Sequence, residues 1–206
     1  VGPRHMGAGG GPSGSAPGLS PLSAAENLDS SWRDSLGVEV SGEEAAVDLN
    51  CPEGSLPVPA GPFLMGSASS HAGRDESPVH VVSLDGFCLD KSEAMSATGT
   101  LLEGLNRQEA LSYCSLRGGR LPSEAEWEKA ARGGCEKAGD PTRCDPEDLR
   151  PYPWGTEAPS CERANHQLST EGFPRLCEGR ALSPGSVDQV GPYGHVDMAG
   201  NLWEWT

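Results

Sequence analysis

The chain has 206 residues, and its 15 Lys and Arg stand against 30 Asp and Glu, a formal net charge of −15. A surface this acidic repels phosphate backbones, which argues against nucleic acid as a partner and suits divalent cations or basic partners better. No run approaches the ~18 apolar residues of a membrane-spanning helix, so no span is expected in this segment.

Residues 1–50 are rich in Gly, Ser, Pro and Ala and carry seven acids and two arginines. Such a segment cannot bury enough apolar surface to offset its ordering entropy, and it reads as a disordered, acidic linker. Order is expected over 51–206. All seven cysteines fall there, at 51, 88, 114, 135, 144, 161 and 177. No C-x-x-C occurs, which argues against zinc ribbons and thioredoxin-like sites. The spaced pairs Cys135/Cys144 and Cys161/Cys177 lie in loop-like sequence. The preferred reading is disulfides that staple loops, with an exported, periplasmic or extracellular setting. The alternative is unpaired, buried small hydrophobes. The odd count leaves at least one thiol free or paired outside this chain.

In chain order, CPEGSLPVPAGPFLMGS (51–67) suits a short strand after a turn. The β-branched run Val79 to Leu84, the Asp85-Gly86 turn and the apolar Phe87 and Leu89 give strand, turn, strand. Two helices follow. Asn106 caps the first, with Glu109 three residues on as a capping box, Ala110, Tyr113 and Cys114 on one face, Leu116 at its edge, and Gly118-Gly119 as the stop. Ser123 caps the second, with Glu126 at the third helical position, Trp127, Ala130 and Ala131 inward, and Gly133-Gly134 as the stop. Glu124, Glu126 and Glu128 read as caps and a solvated face. Trp127, Trp154, Trp203 and Trp205 read as core and loop anchors. From Cys135 to Tyr193 almost no periodicity is visible, and the region reads as a long loop that staples or a metal must hold. The five histidines show no metal-ligand spacing.

The pieces FLMGS (63–67), GRDESPVHVVSLDGFCLDKSE (73–93), EALSYCSLRGGRLPSEAEWEKAARGG (109–134), YPWG (152–155), AN (164–165) and VGPYGHVDMAGNLWEWT (190–206) occur in an order that resembles the formylglycine-generating enzyme family, also called the sulfatase-modifying-factor domain. The resemblance covers most of 51–206 and none of 1–50. It implies an α+β fold, C-type-lectin-like and loop-rich, with few short antiparallel strands and two main helices. Two departures stand out. The segment after DKSE is short, so that Ser96–Thr100 reads as an improvised loop. The arm that follows WEWT in the family is not in this sequence. The chain therefore reads as a domain cut at Thr206 or as a decayed copy.

The resemblance also implies chemistry. Structural Ca²⁺ would be held by Asp197 and Glu204 with the carbonyls of Gly200 and Leu202, a hard-oxygen set of the kind calcium takes. The alternative is that the two carboxylates are merely solvated or hydrogen-bonded. A second calcium site would use Asn165 and the His166 carbonyl with a later acid near Glu178; the favoured alternative is Asn165 as a loop hydrogen-bonder. The oxidising branch of the family holds Cu⁺ on two thiolates and turns a substrate cysteine into formylglycine with O₂. None of the seven cysteines, Cys161 and Cys177 included, occupies the matching position, so Cu⁺ is implied only with the missing arm and no catalytic residue is named. A sister branch, iron-dependent and served by a helical domain, ranks low.

The expected function is thus a formylglycine-generating-type domain acting on a cysteine-containing protein or peptide. The alternatives are a non-catalytic lectin-like binding module, or a truncated or decayed copy without activity. The shortened middle and the missing arm favour decay over an intact enzyme.

Overall fold

The computed structural model describes residues 49–69, 73–137, 144–145, 149–170, 173–187 and 190–206. The linker expected over 1–50 lies outside these residues but for its last two. The elements are β1 (Ser55–Val58), β2 (Gly61–Met65), β3 (His80–Leu84), β4 (Phe87–Asp90), α1 (Arg107–Leu116), α2 (Glu124–Arg132), β5 (Gln167–Thr170) and β6 (Phe173–Leu176). The mix of helices and short antiparallel strands agrees with the α+β reading.

The strand, turn, strand expected at 79–89 is present, but β3 and β4 do not pair with each other. β1 pairs with β4 and β2 with β3, all antiparallel. The two registers are continuous: Val58 faces Phe87 and Gly61 faces Leu84. The result is one long ribbon with a two-residue break on each side, at Pro59-Ala60 and Asp85-Gly86. Pro59 has no N–H to give a ladder, which suits the break, although Pro57 and Pro62 are accommodated within the paired strands on either side.

Helix α2 closes that break. Lys129 is fully buried, and its Nζ donates to the Pro59 carbonyl at 2.7 Å and the Gly61 carbonyl at 2.8 Å. Glu128, expected in solvent, instead accepts from the Gly66 N–H at 2.8 Å and pairs with Arg132 at 3.0 Å. An acid that looks solvated by helical spacing is claimed by a strand end that the spacing cannot see. Ala130 and Ala131 pack with Val58 and Met198 against Phe87, Leu89, Trp127 and Tyr193. A second small cluster joins Leu64 to Cys135 and Cys144.

Both caps form as expected. Asn106 and Ser123 each make a reciprocal capping box, with Glu109 and Glu126 respectively. Arg120, which local reading passes over, adds two hydrogen bonds to Glu126, at 2.7 and 2.5 Å. The Arg120 guanidinium is the main reason the Glu126 carboxyl is held down to about 2. A depressed carboxyl contributes stability that is present above its unfolded value near 4.5 and is lost as pH falls toward 2. Arg120→Ala is expected to cost roughly 1 kcal/mol at pH 6, the exposed arginine being screened by solvent. That cost should vanish near pH 2 in thermal melts.

Leu116, expected at the edge of the apolar face of α1, is 89% exposed. The improvised Ser96–Thr100 loop is a closed turn, with Ser96 N–H on the Thr100 carbonyl and Met95 bridged to Leu101. The region read as one long loop contains the β5–β6 hairpin. Disulfides join Cys51 to Cys88, Cys135 to Cys144 and Cys161 to Cys177, and Cys114 is free. The two loop pairs singled out in the sequence are therefore bridged. Ten apolar residues are buried among those described, a small core for a domain this size, so the three staples matter.

Candidate functional site

The terminal motif is held by a buried polar network as well as by the packing of Met198 and Tyr193. Asn201 is 7% exposed. Its Nδ2 donates to Glu93 Oε2 at 2.6 Å and to the Leu182 carbonyl at 3.0 Å. Its Oδ1 accepts from Asn165 Nδ2 at 2.9 Å and from the Leu182 N–H at 2.8 Å. Glu93 Oε1 takes the Leu202 N–H at 2.9 Å. Asn165 also gives Nδ2 to the Arg180 carbonyl, and its own carbonyl accepts the Asn201 N–H. Three separate stretches, at 93, 165 and 182, thus converge on the Asn201 side chain. Gly200 has to be glycine here: its φ is +94°, and a Cβ would come within 2.8 Å of the Asn165 carbonyl oxygen.

Asn165 therefore occupies the hydrogen-bonding role that the sequence left as its alternative. The His166 carbonyl is taken by the Cys177 N–H, and Glu178 lies on the surface.

Asp197 is 4% exposed, has φ of +58°, and accepts the Gly185 N–H at 2.6 Å through Oδ2. Glu204 accepts Trp127 Nε1 at 3.0 Å through Oε2. The carbonyls of Gly200 and Leu202 accept no hydrogen bond among the described residues. Asp197 and Glu204 are near enough to raise Glu93 electrostatically, and Asp197 likewise raises Glu204. Burial pushes Glu93 up to about 7 against the hydrogen bonds from Asn201 and Leu202, and burial also pushes Asp197 up. A raised carboxyl makes stability fall as pH climbs from its unfolded 4.5 through about 7. Glu93→Gln is expected to flatten the loss over that window in thermal melts. The carboxyls do not converge to a ready-made cage: among the described residues, three His, Cys, Asp or Glu donors meet only at Cys161, His166 and Cys177.

The network opens on a cleft of about 1160 Å³ between β4, α1 and the terminal segment, lined among others by Glu93, Tyr113, Cys114, Arg117, Trp203 and Glu204. Burial, then Asp90, pushes the Cys114 thiol up, with Arg117 opposing, so it stays protonated. Trp127, Trp154 and Trp205 are anchors as expected: Trp205 Nε1 donates to the Leu105 carbonyl, and Trp154 stacks on Tyr152 at 5.1 Å. Trp203 is not an anchor; it is fully exposed at the rim. His195, two residues before Asp197, is fully buried and held neutral by that burial; the Leu89 carbonyl beside it favours its protonated form without reaching hydrogen-bond geometry. Glu93 was missed as a site residue; the local signal is an acid three residues past the end of β4.

A two-helix, ribbon-based domain closed by a Gly-Asn-X-Trp-Glu turn defines a class, and the comparisons name it. The profile of the sulfatase-modifying factor enzyme 1-like domain matches residues 102–206, about half of the chain. The chain belongs to this formylglycine-generating enzyme family. It is 34% identical over 107 residues to a formylglycine-generating enzyme of Thermomonospora curvata, covering 47% of this chain and 29% of that one. It is 36% identical over 98 residues to the inactive C-alpha-formylglycine-generating enzyme 2 of Bos taurus, covering 48% and 29%. The chain thus spans about three tenths of the length of these relatives. In fold it is similar to PvdO from Pseudomonas aeruginosa, with a TM-score of 0.51 and 20% identity over 74% of this chain and 69% of the other.

Proposed function

We propose that residues 51–206 form the calcium-stabilised, C-type-lectin-like scaffold of an exported formylglycine-generating-type protein, whose cleft receives a cysteine-containing protein or peptide for oxidation. The observation that carries this is the terminal turn beside the cleft: Asp197 and Glu204, with the Gly200 and Leu202 carbonyls, offer hard oxygens, and Leu202 and Glu204 line the cleft together with a third carboxylate, Glu93. The charges of Asp197 and Glu204 raise Glu93, and that of Asp197 raises Glu204. That donor chemistry fits Ca²⁺. Asp197 and Glu204 would hold the ion with the two carbonyls. Asn165 serves the site from behind, by fixing Asn201. Bound Ca²⁺ would supply charge neutralisation and a rigid turn. The three disulfides support an oxidising setting.

The test is thermal. Chelated protein given Ca²⁺ at 100 times its Kd should gain about 2.7 kcal/mol. For a domain of this size that is a rise in Tm of roughly 5–10 °C. Mg²⁺ should do far less, and Asp197→Ala should abolish the shift. A flat response to Ca²⁺ refutes the site.

A second reading, a non-catalytic binding module, is supported by the likeness to the inactive C-alpha-formylglycine-generating enzyme 2. Six of the seven cysteines are in disulfides, and the seventh, Cys114, is kept protonated. The two free thiolates that Cu⁺ requires do not fit this set, so no step through copper is derived. Incubating this chain with a cysteine-containing peptide, Cu⁺ and O₂, then probing for aldehyde with a hydroxylamine tag, separates the readings: tagged peptide sinks the binding module.

A further inference from the structure

Away from the cleft, Cys161, His166 and Cys177 each place a ligand atom within 4.8 Å of the others. The fold builds this group from two pieces. His166 and Cys177 face each other at the open end of the β5–β6 hairpin, one step beyond the Gln167↔Leu176 pair, where the Cys177 N–H donates to the His166 carbonyl at 3.1 Å. Cys161 comes from the turn in which the Arg163 and Ala164 N–H groups both bond the Ser160 carbonyl. Cys161 is exposed, and the other two are half-buried. The sulfurs are joined as a disulfide, and His166 Nδ1 lies 3.6 Å from Cys177 Sγ and 3.0 Å from the Ala164 carbonyl.

The geometry points to a redox-gated Zn²⁺ site: reduction of Cys161–Cys177 releases two sulfurs that, with His166, form a three-ligand centre with its fourth position open to water. In a tetrahedral site with Zn–S near 2.3 Å and Zn–N near 2.0–2.1 Å, neighbouring S and N ligands sit about 3.6 Å apart and neighbouring sulfurs about 3.8 Å apart. The His166–Cys177 spacing already meets the first requirement. Two changes remain: the Cys161 sulfur, the one on the surface, has to part from its partner, and His166 Nδ1 has to release the Ala164 carbonyl to which it donates, its proton passing to Nε2 through water. The electrons balance simply. Two thiols of an external reductant become its disulfide and deliver two electrons and two protons to Cys161 and Cys177. Zn²⁺ then displaces both thiol protons, and His166 binds through Nδ1 with its proton on Nε2. The ion takes over the staple, so the 161–177 loop stays closed in both states. Neither of the other bridges offers this: among the described residues no histidine or further acid joins Cys51–Cys88 or Cys135–Cys144 in such a group.

The test uses the whole chain, reduced without oxygen by a trialkylphosphine, and Co²⁺ as the probe. One equivalent should give thiolate-to-cobalt charge-transfer and the visible bands of a tetrahedral ion, and Zn²⁺ should bleach both. Zn²⁺ should also shield Cys161 and Cys177, but not the other cysteines, from alkylation read by mass spectrometry. His166→Ala should keep the disulfide in the oxidised protein and lose the cobalt bands after reduction. If full reduction unfolds the chain, limited reduction that opens Cys161–Cys177 and leaves the buried Cys135–Cys144 closed gives the same readout. Absent bands in that species, bands that persist in His166→Ala, or shielding of a different pair each overturn the proposal.

Discussion

Replacing Asn201 with alanine is expected to cost about 3–5 kcal/mol, because several buried partners are orphaned together. The side chain makes four hydrogen bonds inside the protein, to Glu93, Asn165 and both backbone groups of Leu182. Its loss orphans all of these at once. Each buried orphan costs roughly 1–3 kcal/mol, and the sum is limited because water can enter from the cleft. Backbone conformation adds to the cost, since Asn201 has φ of +62°, where asparagine is tolerated better than alanine. Asn201→Gly separates the two effects. It relieves the backbone and still empties the network, so it should recover less than about 1 kcal/mol relative to alanine. Denaturant unfolding of the three proteins checks this. If alanine costs less than about 1 kcal/mol, the network is not what holds the terminal turn.

The same residue shows what could be read ahead of the coordinates. The helix caps were legible because they are local: Asn106 and Glu109 lie three apart, as do Ser123 and Glu126, and both boxes close. The family motifs were legible as strings, which placed Gly200, Asn201 and Asn165 in loops of interest. What those loops do was not legible, because Glu93 reaches Asn201 across 108 positions. No periodicity carries that information. The ribbon pairing failed to show for a similar reason. Asp85-Gly86 has the composition of a hairpin turn, yet it faces another interruption, Pro59-Ala60, and the pairing partners of β3 and β4 lie upstream. Trp203 misled because tryptophan is usually buried, and here it stands at a rim. The β5–β6 hairpin was hidden by Pro174 and by a composition of turn residues, and Cys161–Cys177 closes the loop that contains it.

Lys129 is where packing and hydrogen bonding can be told apart, and its truncation should be the other large loss. Lys129→Ala is expected to cost about 3–4 kcal/mol. Part is the void left by a fully buried stem under α2, comparable to a large-to-small core change. The rest is the Pro59 and Gly61 carbonyls, which lose the ammonium that bonds both. The Pro59 carbonyl sits in the ribbon break and the Gly61 carbonyl at the first residue of β2. Lys129→Met keeps most of the volume and removes the charge, sparing the desolvation that pushes this amine downward. It should cost about 2 kcal/mol, the orphaned carbonyls alone. The order wild type, methionine, alanine in denaturant midpoints is therefore the expected result. Methionine equal to wild type would mean that the lysine only fills space, and the ribbon break would then need another explanation. Methionine as poor as alanine would assign the whole effect to the two carbonyls, making the amine, rather than the helix face around it, the fastening between α2 and the sheet.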